Sequence, residues 1–253
     1  MKLAGATVLI TGASQGVGRR LAVYFARNIE GADILIAARN EANLRETARL
    51  VIETGAKCSF YTCDLRDSAS LENLVETVRR DGKRVNVLIN NAADVTSKPL
   101  MQTSLEEIDS LVRTNVTGPL QLCRLVAPMM IERGGGAIVN ISSLAGYKPN
   151  PGQTVYSATK SAVNGISDAL RAEFRGTPVR VINVALSSIN LSEKPRRGQV
   201  PADVFAAKLV KAVETGQPEL YLSPLTKWLM RLYKFYPPLA NIVRPHNGFW
   251  ILD

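Results

Sequence analysis

The sequence predicts an α/β fold: a single doubly wound domain with a parallel sheet of about seven strands and helices on both faces. Three observations carry this. Short runs that are apolar throughout alternate with longer amphipathic ones from residue 7 to residue 186. Strands buried on both faces read as continuous apolar runs, and intervening helices supply the crossovers of a parallel sheet. The first run also opens into a glycine-rich turn that leads straight into a helical pattern. Finally, 253 residues with 46% hydrophobic and 21% charged side chains suit one large globular domain, with no linker, repeat or low-complexity tract to divide it.

The elements follow in order. TVLIT (7–11) is the first strand, and a helix runs over 16–28. DILIAA (33–38) is a strand, and 41–54 is helical, with Leu44, Ala48 and Leu50 among charges. KCSFYTC (57–63) is the third strand. The next helix, 68–80, sets Leu71, Leu74, Val75 and Val78 on one face. NVLIN (86–90) is the fourth strand. A long helical stretch covers 104–132, with a break expected near Gly118-Pro119. GAIVNIS (136–142) and VRVINVAL (179–186) are strands, and a helix lies between them. The domain is expected over 1–224, with 225–253 as a C-terminal extension.

Charge and cysteine content bound the chemistry. The net charge of +9 and pI near 9.6 suit an anionic ligand or an anionic membrane surface. No DNA- or RNA-reading motif occurs, so no nucleic-acid partner is expected. Cys58, Cys63 and Cys123 have neither metal-ligand spacing nor a paired framework, which points to reduced thiols and a cytoplasmic setting. The N-terminal MKLAGATVLITGAS reads as a first strand rather than a signal peptide. No apolar run reaches the roughly 18 residues a membrane span needs. His246 is the sole histidine and stands far from every motif, so no metal site is expected.

The turn TGASQGVG places Gly12, Gly16 and Gly18 where the first strand becomes the first helix. Glycines there let a ligand approach the backbone, and the helix N-terminus offers free N–H groups to a pyrophosphate. A Rossmann-type dinucleotide site is the expectation. The second strand ends IAARN, where many such folds carry an acid for the ribose of NAD. Arg39 stands there instead and suits a 2′-phosphate, so NADP(H) is the expected cofactor. Asn40 is a second candidate at the adenosine end.

In VYSATKSA (155–162), Tyr156 and Lys160 are four apart, just over one helical turn. They leave the same face of a helix. A cation beside a phenol favours the phenolate and draws its pKa from about 10 toward neutrality. Such a pair suits proton exchange with a substrate.

Glycine turn and Y-x-x-x-K together resemble the short-chain dehydrogenases/reductases, and the resemblance covers about residues 5–190. TGASQGVG matches the cofactor turn, with Gly12, Ser14, Gly16, Val17 and Gly18. Asp64 and Leu65 match the adenine contacts. NNAA (90–93) matches the NNAG motif, with Asn91 and Ala92 beside the cofactor. The resemblance implies a catalytic tetrad of Asn115 in RTNVTG, Ser143 in VNISSLAG, Tyr156 and Lys160. Ser142 is the rival serine; thirteen residues from Ser143 to Tyr156 fit the family spacing. It further implies hydride transfer between NADP(H) and a carbonyl or alcohol. Tyr156 exchanges the proton, Ser143 hydrogen-bonds the carbonyl oxygen, Lys160 holds the nicotinamide ribose, and Asn115 helps hold a relay water. A homodimer or homotetramer built through the long helices is implied as well.

Two departures stand out. Ala93 replaces the motif glycine. After the sixth strand, Leu186-Ser187 replaces Pro-Gly and Leu191 replaces a threonine. Ile189 keeps the branched residue whose backbone reaches the carboxamide. Ser187, Ser188 and Asn190 remain alternatives for the lost side-chain hydrogen bond. The rival to an active enzyme is a catalytically silent dinucleotide-binding protein; the intact tetrad favours turnover. Loops at about 93–100, 144–153 and 186–200 are expected to shape the pocket, for a lipid-like or bulky apolar substrate. KPRR (194–197) adds positive charge there.

In 225–245, Leu225, Trp228, Leu229, Leu232, Phe235 and Tyr236 recur at helical spacing, with Lys227, Arg231 and Lys234 on another face. This basic amphipathic pattern fits contact with a membrane surface or lipid, an apolar face that lines a pocket for a long-chain substrate, or packing on the domain or a second subunit.

Overall fold

The computed structural model describes residues 1–192, 194 and 196–235. In chain order it builds β1 (Thr7–Thr11), α1 (Gly16–Asn28), β2 (Asp33–Ala38), α2 (Glu41–Ile52), β3 (Lys57–Thr62), α3 (Ser68–Arg80) and β4 (Val85–Asn90). There follow α4 (Leu105–Val112), α5 (Gly118–Ile131), β5 (Gly136–Ser143), α6 (Thr154–Glu173) and β6 (Val179–Leu186). The chain continues through β7 (Ile189–Asn190), β8 (Val200–Pro201), α7 (Ala202–Thr215), β9 (Glu219–Tyr221) and α8 (Pro224–Phe235).

Seven strands form one parallel sheet in the order β3-β2-β1-β4-β5-β6-β9, while β7 and β8 pair separately. The order reverses between β1 and β4. In open α/β sheets that reversal leaves a crevice at the carboxyl ends of the strands, where ligands bind.

The apolar strand runs have a direct cause. Val8, Ile10, Ile34 and Ile36 pack with Leu21 and Phe25 of α1 and Phe205 and Leu209 of α7. Leu9, Leu35, Leu88 and Ile138 face the other way, onto Leu71 and Leu74 of α3 and Leu122 and Val126 of α5. Both faces are covered, so both sets of alternating positions are apolar. Burial pushes the thiols of Cys58 and Cys123 up to about 12, which leaves them unreactive as nucleophiles.

The stretch 104–132 departs from expectation. It is not broken at Gly118-Pro119. Instead α4 runs into α5 through a π-helical turn, Arg113–Thr117, where the Gly118 N–H donates to the Arg113 carbonyl. Pro119 carries no N–H, and the one-residue widening keeps the helix continuous across it. Gly118 sits against the chain after β3, where an added Cβ would lie 2.3 Å from the Leu65 oxygen.

β9 and α7 lie beyond the predicted elements. β9 is three residues, too short to show a period, and it is recognised only by pairing with Asn183–Ala185 of β6. α8 packs on the domain, but of the stripe read from sequence only Leu229 joins that contact, and Leu232 is half-buried. Thr226, Met230 and Tyr233 are buried, with Met230 and Tyr233 joining Ala185, Tyr221 and Tyr147. Leu225, Trp228 and Phe235 are 51%, 60% and 83% exposed. Tyr236, the rest of 236–245 and His246 lie outside the described residues. Among the described residues, no helix is long and apolar enough to cross a membrane.

Candidate active site

A cleft of about 920 Å³ opens at the β1–β4 crevice and runs from the glycine turn to the Tyr156 helix. Its walls at one end are the turn itself, Arg39 and Asn40 after β2, and Asp64 and Leu65 after β3. Its far end is walled by Ser143, Tyr156 and the segment after β6.

The glycines have specific reasons. Gly12 holds φ +66°, and a Cβ there would come within 2.7 Å of Ala92 Cα. A Cβ at Gly18 would stand 2.4 Å from the Gly12 carbonyl oxygen. Gly16 holds φ +59° and faces open space, which leaves the mouth of α1 bare. The turn is braced from several sides. Asn91 donates to the Thr11 and Gly12 carbonyls at 2.9 and 3.3 Å. Arg19 donates to Thr47 Oγ1 at 2.9 Å, and Thr47 donates to the Ala13 carbonyl at 3.0 Å. Arg19 and Thr47 escape sequence reading because neither belongs to a recognisable pattern; Thr47 is a fully buried hydroxyl in mid-helix.

At the end of the cleft beside β2 and β3, Arg39 is exposed on the rim. The Asn40 side chain caps α2, accepting from the Asn43 N–H at 2.9 Å. Asp64 is gripped by Arg66 at 2.6 Å, and that guanidinium holds its carboxyl below the usual range. Ser14, Val17 and Ala92 also line the cleft. Ile189 does not. Pairing of β7 with β8 turns its side chain inward, against the apolar core on the α1–α7 face of the sheet.

At the other end α6 presents Tyr156 and Lys160 on one side, as their spacing requires. The Ser143 hydroxyl reaches the phenol and also accepts from the Ala145 N–H at 3.1 Å. Ser142 points elsewhere: its buried hydroxyl donates to the Lys160 carbonyl at 3.0 Å. Ser143 is therefore the serine facing Tyr156, and Ser142 ties β5 to α6. A second buried chain does the same, from Asn90 to Asn140 at 2.9 Å and from Asn140 to Ser167 at 3.0 Å.

The electrostatics differ from the expectation for the pair. Burial raises the Tyr156 pKa, and the hydrogen bond from Ser143 only partly offsets it. Burial also lowers the Lys160 pKa to about 8. Its ammonium lies 5.8 Å from the centre of the Tyr156 ring and donates to the Ile141 carbonyl at 2.8 Å. The phenol is not drawn toward neutrality because desolvation outweighs a cation at that distance.

Asn115 occupies the π-helical turn and is buried. Its amide accepts from the Asp94 N–H at 2.7 Å and donates to the Asp94 carbonyl at 2.8 Å. It also donates to Thr159 Oγ1 at 3.1 Å. One side chain thus clasps the loop after β4 to α6. Asp94 acts through its backbone, so no side-chain signal could have announced it. Asn115 lies behind the main cleft, on a cavity of about 10 Å³ shared with Asn90, Asn140 and Lys160. That is near the lower limit for one water.

The segment after β6 is held from below. Arg20 of α1 donates to the Leu191 carbonyl at 2.9 Å. Asn190 binds its own loop, donating to the Lys194 carbonyl at 2.7 Å and accepting from the Ser192 N–H at 3.0 Å. Asn190 is thereby committed to the loop, while Ser187 and Ser188 line the cleft. Lys194, Arg196 and Arg197 are exposed.

A glycine turn at one end of this crevice and a Ser–Tyr–Lys cluster at the other coincide with a family match. The family pattern described as short chain dehydrogenase matches residues 6–196. The chain belongs to this family. This short-chain dehydrogenase is 34% identical to the ketoacyl reductase HetN of Nostoc sp., over 99% of its own length and 91% of that protein. Among solved structures, a metagenomic short-chain oxidoreductase in complex with NADP matches with a TM-score of 0.76 and 31% identity, covering 87% of this chain and 97% of that one. The bulky-bulky ketone specific alcohol dehydrogenase of Comamonas testosteroni matches with a TM-score of 0.78 and 27% identity, covering 96% and 97%. The protein is an oxidoreductase of the family, with the seven-stranded parallel sheet and Rossmann-type fold.

Proposed function

We propose that this short-chain dehydrogenase uses NADP(H) to reduce a bulky apolar ketone or acyl-type carbonyl to an alcohol, or runs the reverse reaction. The observation that carries this reading is the meeting of Ser143 and Tyr156 at the end of a cleft whose other end is the glycine turn. The residues present fit a dinucleotide: bare backbone at Gly16, close-packed Gly12 and Gly18, and Arg39 on the rim. Gly12, Ser14, Gly16, Val17 and Gly18 would hold the pyrophosphate at the mouth of α1. Arg39 would take the 2′-phosphate, with Asn40, Asp64 and Leu65 around the adenosine. Asn91 and Ala92 would flank the middle of the cofactor.

The bound nicotinamide dinucleotide would supply or accept the hydride. The chain's own groups handle the oxygen. Ser143 donates to the carbonyl oxygen and stabilises its growing negative charge. Tyr156 delivers its phenolic proton to that oxygen, so an alcohol leaves and a phenolate remains. The buried Lys160 would stabilise that phenolate and hold the nicotinamide ribose. Asn115 keeps the loop and α6 in register and borders the cavity behind Lys160, where a water would return the proton. The high phenol pKa suits a donor in reduction.

The substrate end supports an apolar partner, since Val95, Leu144, Pro151, Leu186 and Leu191 line it. The activities named for the Nostoc and Comamonas relatives lie in the same direction. The test is a panel of aryl and long-chain ketones and β-ketoacyl thioesters, read by NADPH oxidation, with wild type and Tyr156→Phe. Turnover by wild type, with a loss of about 10²–10⁴-fold in the variant and cofactor binding retained, is expected. Cofactor binding without hydride transfer to any member would favour the silent dinucleotide-binding protein.

A further inference from the structure

α8 has three faces, and among the described residues one of them is buried in the fold. Thr226, Met230 and Tyr233 form the buried face, on Tyr147, Tyr221 and Ala185. Lys227 and Arg231 form a second face with the position of Lys234. Leu225, Trp228 and Phe235 form the third and stand in solvent, with half-buried Leu232 between them. A helix that only needed to pack on its domain would not require a second apolar stripe.

We infer that α8 is an interfacial helix that seats this protein on an anionic lipid surface through Leu225, Trp228 and Phe235. Charge complementarity selects this occupant. From residue 220 to residue 252 the sequence contains no Asp or Glu, while Lys227, Arg231, Lys234 and Arg244 fall within it. Glu219 of β9 stands 3.8 Å from Arg231, beyond hydrogen-bonding distance, on a guanidinium that stays 56% exposed. A second copy would bring another basic stripe, on another chain of net charge +9, against this one; like charges set opposite each other oppose such pairing. Residues 236–252 offer no carboxylate to the stripe either. Anionic headgroups supply the missing negative charge, and the acyl boundary accepts the apolar stripe. Both tryptophans of the chain, Trp228 and Trp250, fall in this acid-free segment, and tryptophan favours the headgroup level of a bilayer.

The placement has a consequence for the cleft. The buried face of α8 packs on Leu144 and Tyr147, in the turn directly after Ser143. Seating α8 on lipid would hold that turn beside the surface.

The test is cosedimentation of the full chain with vesicles of phosphatidylcholine alone and of equal parts phosphatidylcholine and phosphatidylglycerol. The readout needs no turnover, so it is independent of the reaction proposed above. Wild type is expected to bind the anionic vesicles, to stay in solution with the neutral ones, and to be released by salt. The triple variant Leu225→Ser, Trp228→Ser, Phe235→Ser is expected to bind the anionic vesicles about tenfold or more weakly, because three apolar side chains no longer leave water. Its thermal melt should be unchanged, since all three are exposed. Lys227→Gln with Arg231→Gln should erode the preference for anionic vesicles. No binding by wild type, or equal binding by the triple variant, would overturn the inference. So would a change of oligomeric mass in the triple variant with no vesicle binding in wild type, which assigns the stripe to a second copy. Binding that appears only after removal of 236–253 would assign it to the tail and overturn it equally.

Discussion

The Lys160 ammonium donates to the Ile141 carbonyl at 2.8 Å, and α6 is thereby pinned to the end of β5. The same contact keeps a cation inside the protein, only 3% exposed. Burial lowers its pKa to about 8 from 10.5, so between those pH values the folded state has released a proton that the unfolded chain retains.

Lys160→Met should therefore stabilise the protein while removing activity. The folded pKa is depressed, so the penalty on the cation is present in full below about pH 8 and fades as pH rises toward the unfolded value near 10.5. A gain on the order of 1 kcal/mol corresponds to about 2–4 °C in Tm for a chain of this size. Thermal melts at pH 7 and pH 10 check the sign: the variant's advantage should shrink at the higher pH. An equal advantage at both would rule out the buried charge as its source.

The pH profile of reduction follows from the same two groups. Burial raises Tyr156, so the phenol keeps its proton across the neutral range. Lys160 loses its charge as pH rises through about 8. In the reductive direction kcat/KM should hold at neutral pH and fall above about pH 8. A profile that rises through that region would contradict the roles given to the two residues.

Arg39→Ala should separate the two cofactors. The side chain is exposed on the cleft rim, clear of the core. Loss of a charge-assisted contact to the 2′-phosphate should weaken NADPH binding about tenfold or more. NADH binding should change little. Nicotinamide fluorescence titrations of both proteins with both cofactors measure this directly. If wild type binds the two equally, the NADP(H) assignment fails.

Gly118→Ala should unsettle the joint between α5 and the chain after β3. Its Cβ would lie 2.3 Å from a backbone oxygen, that of Leu65, which cannot swing aside as a side chain would. Overpacking of this kind costs about 1–3 kcal/mol. Leu65 also lines the cleft, so dinucleotide affinity should fall together with Tm. Unchanged denaturant midpoints would show that the backbone gives way more easily than this contact implies.

Much of the protein was legible before folding because the signals are local. A strand buried on both faces is mostly apolar on both, so β1, β2 and β4 to β6 appear as apolar runs, interrupted where a buried asparagine such as Asn140 has its own hydrogen-bond partners. A turn that ends a strand and bares a helix N-terminus needs glycines, so the dinucleotide end announces itself. Tyr156 and Lys160 share a helix face because four residues make just over one turn.

Other features depend on contacts between distant segments. Ser142 and Ser143 are identical neighbours, and only the packing of α6 on β5 turns one toward Lys160 and the other toward Tyr156. Asn115 grips the backbone of Asp94, which has no chemical signature in the sequence. β9 exists only through its pairing with β6. On α8, spacing shows one apolar stripe, but the face that is buried, Thr226, Met230 and Tyr233, is set by Tyr147 and Tyr221, which arrive from elsewhere in the chain. The Tyr156 pKa is decided the same way: spacing sets the pair side by side, and the depth of burial sets the direction in which the phenol moves. The sequence by itself determined the repeating elements and the residue types of the site, because these follow from backbone periodicity. Tertiary structure decided orientation, burial and charge state, because each depends on what the rest of the chain places alongside.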